Sequence, residues 1–197
     1  LVILSPSLPL LFMGEEYGED APFLYFVSHG DKDLIEAVRK GRMEEFRHFS
    51  WEGEPPDPQS EETFRASKLD WQKRTQGRHH LLLGFYKRLI RLRREMAALS
   101  ELDRGRLEVS VIPEANVITM RRWDGFNASH AYCLFNFEKN DVNIAVSIPE
   151  GQWHKIIDSS DSAWNGPGSQ LPAQIQNNDR VTLHGQSVAL YSSGVGR

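Results

Sequence analysis

Residues 9–20 read PLLFMGEEYGED, a short apolar run that Gly14 closes and that acidic residues follow at once. A continuous apolar run of this length is typical of a strand buried on both faces, as in a parallel barrel. A buried helix is the competing interpretation, but Pro9 and Gly14 enclose too few residues for one. We therefore predict a barrel strand that ends at Met13.

The residues before this run, from Leu1 onward, are also mostly apolar. A secretory signal is the alternative interpretation, but the stretch has no basic segment and no small-residue cleavage site, and Pro6 and Pro9 interrupt it. It is also too short to span a bilayer. We interpret residues 1–4 as the buried end of a helix or strand whose beginning lies upstream.

A long polar and aromatic connection follows, from Tyr17 to Gln76, and connections of this length usually have a function. Within it, the spacing of apolar residues predicts a helix over residues 31–46, with Asp31 as its N-cap. A short helical turn is predicted over residues 63–71.

The clearest helix is predicted over residues 79–96, because apolar residues recur there at helical spacing. These residues are Leu82, Phe85, Leu89, Leu92 and Met96. Lysine and arginine side chains occupy much of the remaining surface. A solvated helix face explains them better than a polyanion site does.

Beyond Asp103 the apolar pattern changes from a helical period to that of strands. Seven strands are predicted, over residues 107–112, 116–123, 130–137, 142–148, 153–158, 180–184 and 187–191. Short strands separated by turn residues favour an antiparallel sandwich. The boundary between the two parts of the chain is expected between residues 100 and 106.

Composition excludes several classes of partner. The net charge of −4 over 197 residues gives no electrostatic reason to expect nucleic acid or a membrane surface as a partner. Cys133 is the one cysteine, so no internal disulfide can form, which fits a cytoplasmic location. The pair at residues 79–80 lacks the spacing of a zinc site, and Asp158 and Asp161 lack an EF-hand pattern, so we predict no metal and no cofactor.

The carboxylates Glu15, Glu16, Glu19 and Asp20 follow the predicted barrel strand directly. In an α/β barrel that end of a strand faces the active site. Retaining glycosidases use two carboxylates about 5–5.5 Å apart. Glu15 and Glu16 are a poor candidate pair, because adjacent side chains point in different directions. A solvated acidic turn is an equally good interpretation of the pattern alone.

The stretch from Leu10 to Glu19 resembles the eighth barrel strand of glycoside hydrolase family thirteen, the α-amylase superfamily. The segments that follow, residues 21–26, 28–31, 34–42, 45–46, 63–64 and 67–71, are similar to the malto-oligosyltrehalose trehalohydrolases of that family rather than to branching enzymes. A looser similarity to the family's C-terminal domain covers residues 158–161 and 164–168.

This resemblance implies an α/β plus all-β chain: the last βα unit of a TIM (β/α)8 barrel over residues 1–102, then a C-terminal antiparallel β-sandwich over residues 103–197. It implies a glycosidase that hydrolyses the α-1,4 bond next to the trehalose end of malto-oligosyltrehalose and releases trehalose. The family's catalytic carboxylates follow earlier strands, so no catalytic residue is assigned in this chain. The chain alone is expected to be inactive, with the preceding part of the barrel as its partner.

Residues that line the substrate cleft are expected to include hydrogen-bonding groups and aromatic rings, because sugars present both hydroxyl groups and apolar C–H faces. The candidates for contact with a malto-oligosaccharide are Glu15, Glu16, Tyr17, Phe23 and Tyr25. The alternative is that Phe12, Phe23 and Phe26 belong to the core and that Glu16 is a structural hydrogen-bond acceptor.

Two other functions stay open from the sequence. The first is a fragment of a glycogen branching or debranching enzyme. The second is a non-catalytic glucan-binding or structural module, for which Trp123, Trp153 and Trp164 are candidate surface aromatics.

Overall fold

The structure, a computed structural model, describes residues 1–49, 53 and 55–194. Four α-helices occupy the first part of the chain: α1 (Lys32–His48), α2 (Glu61–Ala66), α3 (Gly77–Glu95) and α4 (Ala97–Ser100). Eight strands follow: β1 (Leu107–Ile112), β2 (Val117–Trp123), β3 (Ser129–Asn136), β4 (Val142–Ala145), β5 (Trp153–Asp158), β6 (Gln174–Ile175), β7 (Arg180–Leu183) and β8 (Ser187–Gly194).

The described strands form two sheets, and every pair within them is antiparallel. The larger sheet has the order β1-β2-β3-β8-β5-β6, and β4 pairs with β7 in the smaller one. The predicted antiparallel sandwich is therefore confirmed. The seven predicted strands are all present, with ends within a few residues of the prediction. The two-residue β6 was missed because it is too short to show a period.

The central strand β3 is buried on both of its faces. Tyr132 and Leu134 belong to the core between the two sheets. Ala131, Cys133 and Phe135 belong to a second core, which α3, α4 and the first residues of the chain form against the other face of the large sheet. The sandwich and the helical part thus share β3 as a common wall.

The described part of the connection between residues 17 and 76 contains more regular structure than its polar sequence indicates. Asp31 caps α1 as predicted, its side chain accepting a hydrogen bond from the backbone N–H of Leu34. The guanidinium of Arg39 in α1 donates to both carboxylate oxygens of Asp57, at 3.0 and 2.7 Å. The predicted turn over residues 63–71 forms as α2, which begins earlier than expected because Ser60 caps its start, and which ends at Ala66.

The predicted strand at Leu10–Met13 is wrong for the chain as described. No regular structure is assigned to residues 8–12. Leu10 is 89% exposed and Phe12 is 52% exposed, whereas burial was predicted for both. The physical reason is that a strand exists only through a hydrogen-bonded neighbour, and no described strand lies beside this segment.

Two arginines fix the first residues of the chain. Arg93 of α3 donates to the carbonyl oxygens of Ile3, Ser5 and Ser7 at 2.5, 2.6 and 2.7 Å. Arg122 of β2, which is 1% exposed, donates to the carbonyl of Leu4 at 2.8 Å. Ile3 and Leu4 are buried as predicted, at 5% and 1% exposed, whereas Leu1 and Val2 are 54% and 50% exposed. The predicted end of a helix or strand is wrong, because these residues form a turn.

One predicted surface aromatic lies in the core. Trp153 is 1% exposed and packs between the two sheets, and its indole N–H donates to the carbonyl of Pro149 at 3.1 Å. No helix among the described residues combines the length and the apolar character needed to cross a bilayer.

Candidate functional site

A tight turn follows the apolar run that the sequence singled out. Glu15–Tyr17 forms one turn of 3-10 helix between two glycines in the left-handed region, Gly14 at φ 81° and Gly18 at φ 68°. A Cβ on Gly14 would stand 2.6 Å from the Cβ of Glu19. Only glycine therefore fits at position 14, and its absence of a side chain lets Glu19 lie beneath the turn.

Glu19 joins this turn to a distant part of the connection. Its side chain is 4% exposed, and its Oε1 accepts from the Nζ of Lys73 at 2.6 Å. The same carboxylate accepts from the backbone N–H groups of Asp20 and Ala21, at 2.8 and 3.0 Å, and of Asp70, at 2.8 Å. These bonds fix residues 70–73 against the turn at Glu15–Tyr17.

The same contacts set the protonation state of Glu19. Burial alone would raise its pKa, but the hydrogen bonds from Lys73 and from the three backbone N–H groups outweigh that effect and lower the pKa to about 2. Glu19 is therefore ionised at neutral pH. It cannot serve as a proton donor there, which limits it to a structural or electrostatic role.

Tyr17 lies inside this arrangement, which corrects its predicted role. Its side chain is fully buried, with the hydroxyl donating to Glu19 at 3.1 Å and the ring 6.2 Å from that of Trp71. A ring without an exposed face cannot stack on a sugar. Tyr17 instead anchors the turn.

Glu15 is exposed and held in one orientation by two donors. The backbone N–H of Phe12 donates to its Oε2 at 3.0 Å, and the hydroxyl of Tyr86 in α3 donates to its Oε1 at 3.0 Å. Burial and this hydrogen bond to Glu15 raise the pKa of Tyr86 to about 12, so its hydroxyl keeps the proton it donates. Glu16 is half-buried on the same turn.

A cleft of about 520 Å³ lies between this turn and the residues after it, and we call it the Phe23 cleft. Glu15, Phe12, Phe23 and Phe26 line it together with the backbone of Gly18. Phe23 is 67% exposed and meets Phe12 edge to face, with ring centroids 4.9 Å apart. The structure therefore places two of the candidate residues, Glu15 and Phe23, in one cleft.

Tyr25 does not line that cleft. Its ring is 47% exposed, and the guanidinium of Arg42 in α1 lies 5.2 Å from its centroid. One face of Tyr25 is therefore covered by a cation, and Tyr25 and the Phe23 cleft form separate parts of the surface.

Sequence reasoning missed two residues of this site. Glu19 was noted only as part of an acidic run, because its partners Asp70 and Lys73 lie 51 and 54 residues away in the sequence. Tyr86 was missed because only the folded chain brings α3 beside Glu15. Among the described residues, no group of three or more histidine, cysteine or acidic side chains is arranged to hold a metal ion.

Comparison with protein families and solved structures shows which class of protein has this fold. Residues 112–194 match the family described as "Alpha amylase, C-terminal all-beta domain". A crystal structure of a protein assigned as an alpha amylase from Salmonella typhimurium superposes with a TM-score of 0.71 at 26% identity, covering 98% of this chain and 29% of that one. The alpha-amylase of H. orenii, at 18% identity and a TM-score of 0.55, has the same fold.

Sequence comparison with curated proteins narrows this class. The malto-oligosyltrehalose trehalohydrolase of Brevibacterium helvolum is 44% identical over 122 residues, which cover 61% of this chain and 21% of that protein. The one from Deinococcus radiodurans is 45% identical over 150 residues, which cover 75% of this chain and 24% of that protein.

The chain carries the C-terminal all-β domain of the α-amylase class, preceded by a helical part. Within that class it is a relative of the malto-oligosyltrehalose trehalohydrolases, and the resemblance read from the sequence is confirmed. The matched region spans about a fifth to a quarter of the length of these relatives.

Proposed function

We propose that this chain forms one wall of the substrate cleft of a glycoside hydrolase that cleaves the α-1,4-glucosidic bond next to the trehalose end of malto-oligosyltrehalose and releases trehalose. Residues 1–102 would supply the last βα unit of its (β/α)8 barrel, with residues 103–197 as the domain that follows. The observation that carries the proposal is the meeting of Glu15 and Phe23 in one cleft, in a chain 44% identical to a trehalohydrolase over 122 residues.

The chemistry of the Phe23 cleft suits a sugar. The carboxylate of Glu15 is oriented by Phe12 and Tyr86, and each of its oxygens keeps a lone pair that can accept a hydroxyl proton. The exposed ring of Phe23 offers an apolar face to the C–H groups of a pyranose. Glu16, on the same turn as Glu15, and Tyr25, on a separate part of the surface, remain further candidate contacts.

The carboxylates that break the bond are proposed to lie elsewhere in the longer protein. Glu15 and Glu16 are neighbours in sequence, and only Glu15 lines the cleft. Glu19 is held ionised in its ion pair with Lys73 and is not free to deliver a proton. We therefore expect the 197-residue chain to release no trehalose by itself.

The exposed apolar residues that precede the turn support the proposal that another part of the barrel packs against this chain. Leu8, Leu10 and Met13 are 82%, 89% and 59% exposed, which is unusual for large apolar side chains in one segment. The preceding part of the same barrel is the proposed partner for this surface.

The test is product analysis with the longer protein that contains this sequence, supplied with malto-oligosyltrehalose. Free trehalose is the expected product, and a branched or debranched glucan in its place would refute the proposal. Glu15→Gln should lower kcat/KM about tenfold or more, because a hydrogen bond to a charged group is lost. Glu114→Gln, which changes an exposed glutamate near β1, is the matched control and should leave kcat/KM unchanged.

Phe23→Ala tests the stacking contact separately. We expect a rise in KM of about threefold to tenfold, since aromatic contacts of this kind contribute about 0.5–1.5 kcal/mol. Phe126→Ala is the control, because Phe126 is 90% exposed between β2 and β3 and lines no described cleft. Equal effects of the two changes would contradict a role for Phe23 in binding.

A further inference from the structure

A second cleft lies where the first turn of α3 meets the sandwich, and we call it the Trp164 cleft. Its volume is about 450 Å³, within the range of sites for small molecules. Its lining shares only Gly18 and Glu19 with that of the Phe23 cleft. The two clefts are therefore neighbours that one short piece of backbone separates.

The floor of the Trp164 cleft is apolar and comes from both parts of the chain. Phe85 of α3 and Trp164 of the sandwich meet edge to face, with ring centroids 5.3 Å apart. Gly84 lies beside the indole, since a Cβ there would be in ordinary contact with its Cζ3 at 3.6 Å. Both rings are half-buried, so each keeps some surface towards the cleft.

The rim of the Trp164 cleft carries both hydrogen-bond donors and hydrogen-bond acceptors. The Nδ1 of His79 lies 2.9 Å from the carbonyl oxygen of Tyr17. A carbonyl oxygen can only accept, so Nδ1 donates in this contact, which leaves Nε2 available to a ligand. That Nε2 stands 3.6 Å from a carboxylate oxygen of Asp20, too far for a hydrogen bond between them.

Arg78 supplies the donors of this rim. Its guanidinium donates to the other oxygen of Asp20 at 2.5 Å, and its side chain is 70% exposed, which leaves further N–H groups pointing to solvent. The rim therefore offers the carboxylate of Asp20 as an acceptor, the guanidinium of Arg78 as a donor fork and a ring nitrogen of His79, side by side above the apolar floor.

This combination selects a class of ligand. Because the charges of Asp20 and Arg78 are paired with each other, neither attracts an ion strongly, whereas adjacent hydroxyl groups can donate to Asp20 and accept from Arg78. The C–H face of a pyranose then matches the rings of Phe85 and Trp164. We propose that the Trp164 cleft is a second saccharide site, which binds a glucosyl unit of a malto-oligosaccharide. The choice of an α-1,4-glucan rests on the proposed function, whereas the site rests on the geometry described.

The experiment is a titration of the 197-residue chain with maltotetraose, in which the indole N–H resonance of Trp164 is followed by NMR. Trp164→Phe assigns that resonance. We expect a saturable shift, and a loss of affinity of about tenfold or more in Arg78→Ala. Arg91→Ala is the matched control, because Arg91 lies on the same helix and is 68% exposed, and its affinity should equal that of the unchanged chain.

Three outcomes would overturn the proposal. They are no shift of Trp164 at millimolar maltotetraose, a shift that Arg78→Ala leaves intact, and an equal shift with the open-chain polyol sorbitol. Asp20→Asn provides a second rim variant if Arg78→Ala alters the fold, as judged by circular dichroism. Phe23→Ala should leave the shift of Trp164 unchanged. The proposal of a second saccharide site can therefore be refuted or supported independently of the proposed substrate cleft.

Discussion

The ammonium of Lys73 and the carboxylate of Glu19 form an ion pair of 2.6 Å across 54 positions of sequence. The Glu19 side chain is 4% exposed and that of Lys73 is 27% exposed. Because the same carboxylate also accepts from three backbone N–H groups, this pair determines how the turn at Glu15–Tyr17 sits against residues 70–73. The shape of the Phe23 cleft depends on that turn.

The first prediction concerns Glu19 itself. Glu19→Gln removes the negative charge that Lys73 faces, and we expect the free energy of unfolding at pH 7 to fall by about 1–3 kcal/mol. Urea denaturation followed by circular dichroism measures the change. Glu114→Gln, at an exposed position, should shift the unfolding free energy by less than about 0.5 kcal/mol.

The contribution of Glu19 to stability should also depend on pH in a definite direction. The pKa of Glu19 in the folded chain is about 2, below its ordinary value of 4.5. Its contribution to stability is therefore complete above pH 4.5 and is lost as the pH falls from about 4.5 to about 2. The stability difference between the unchanged chain and Glu19→Gln should shrink over this interval. A difference that stays constant from pH 7 to pH 3 would contradict the assigned role.

The second prediction concerns the glycine above Glu19. Gly14→Ala places a methyl group 2.6 Å from the Cβ of Glu19 at a φ of 81°, and we expect a loss of stability of about 2 kcal/mol or more. Gly41→Ala is a control of opposite sign. Gly41 lies in α1 with open space around its Cβ, so alanine should stabilise the chain by about 0.5–1 kcal/mol. Thermal unfolding of both variants measures this, and similar shifts in both would argue against the close approach at Gly14.

Local periodicity predicted most of the sandwich and the longer helices. The strand β1 and the strand β5 have the predicted ends, and Asp31 caps α1 as its position before a helical pattern indicates. Periodicity succeeds here because the spacing of apolar residues within a strand or helix shows which of its faces is buried. The resemblance to the trehalohydrolases likewise depended on contiguous residues.

Properties that depend on distant partners were not predictable in this way. The segment before Met13 has the composition of a buried strand but no described neighbour strand, so it is exposed. The burial of Tyr17 results from contacts with Glu19 and Trp71, and no local pattern encodes the second of these. Trp153 was taken for a surface residue because alternation along one strand cannot show that a second sheet covers it.

The third prediction concerns a buried cation. The guanidinium of Arg122 is 1% exposed and donates to the carbonyls of Leu4 and Glu101, and burial lowers its pKa from the ordinary value. Arg122→Met leaves both carbonyls without this donor. We expect a loss of about 2–4 kcal/mol in the free energy of unfolding, measured in urea.

The neighbouring arginine provides the control for that change. The side chain of Arg121 lies on the opposite face of β2, where it pairs with Glu108 at 2.7 Å and covers the ring of Trp123. Surface ion pairs contribute little, so Arg121→Met should cost no more than about 1 kcal/mol. If Arg121→Met proved as destabilising as Arg122→Met, the carbonyl contacts of Arg122 would not be the source of its effect.

The fourth prediction uses Cys133, the one cysteine in the sequence, as a reporter of opening. Its side chain is fully buried in β3, and burial raises the pKa of the thiol to about 12. Since the thiolate is the reactive form, an aromatic disulfide reagent at pH 8 should label the native chain only as fast as the large sheet opens. We expect the labelling rate to rise with urea in parallel with unfolding, and to reach one equivalent per chain in full denaturant. Complete labelling within a minute in the absence of urea would show that β3 is accessible, and would contradict the two-sided burial on which both cores depend.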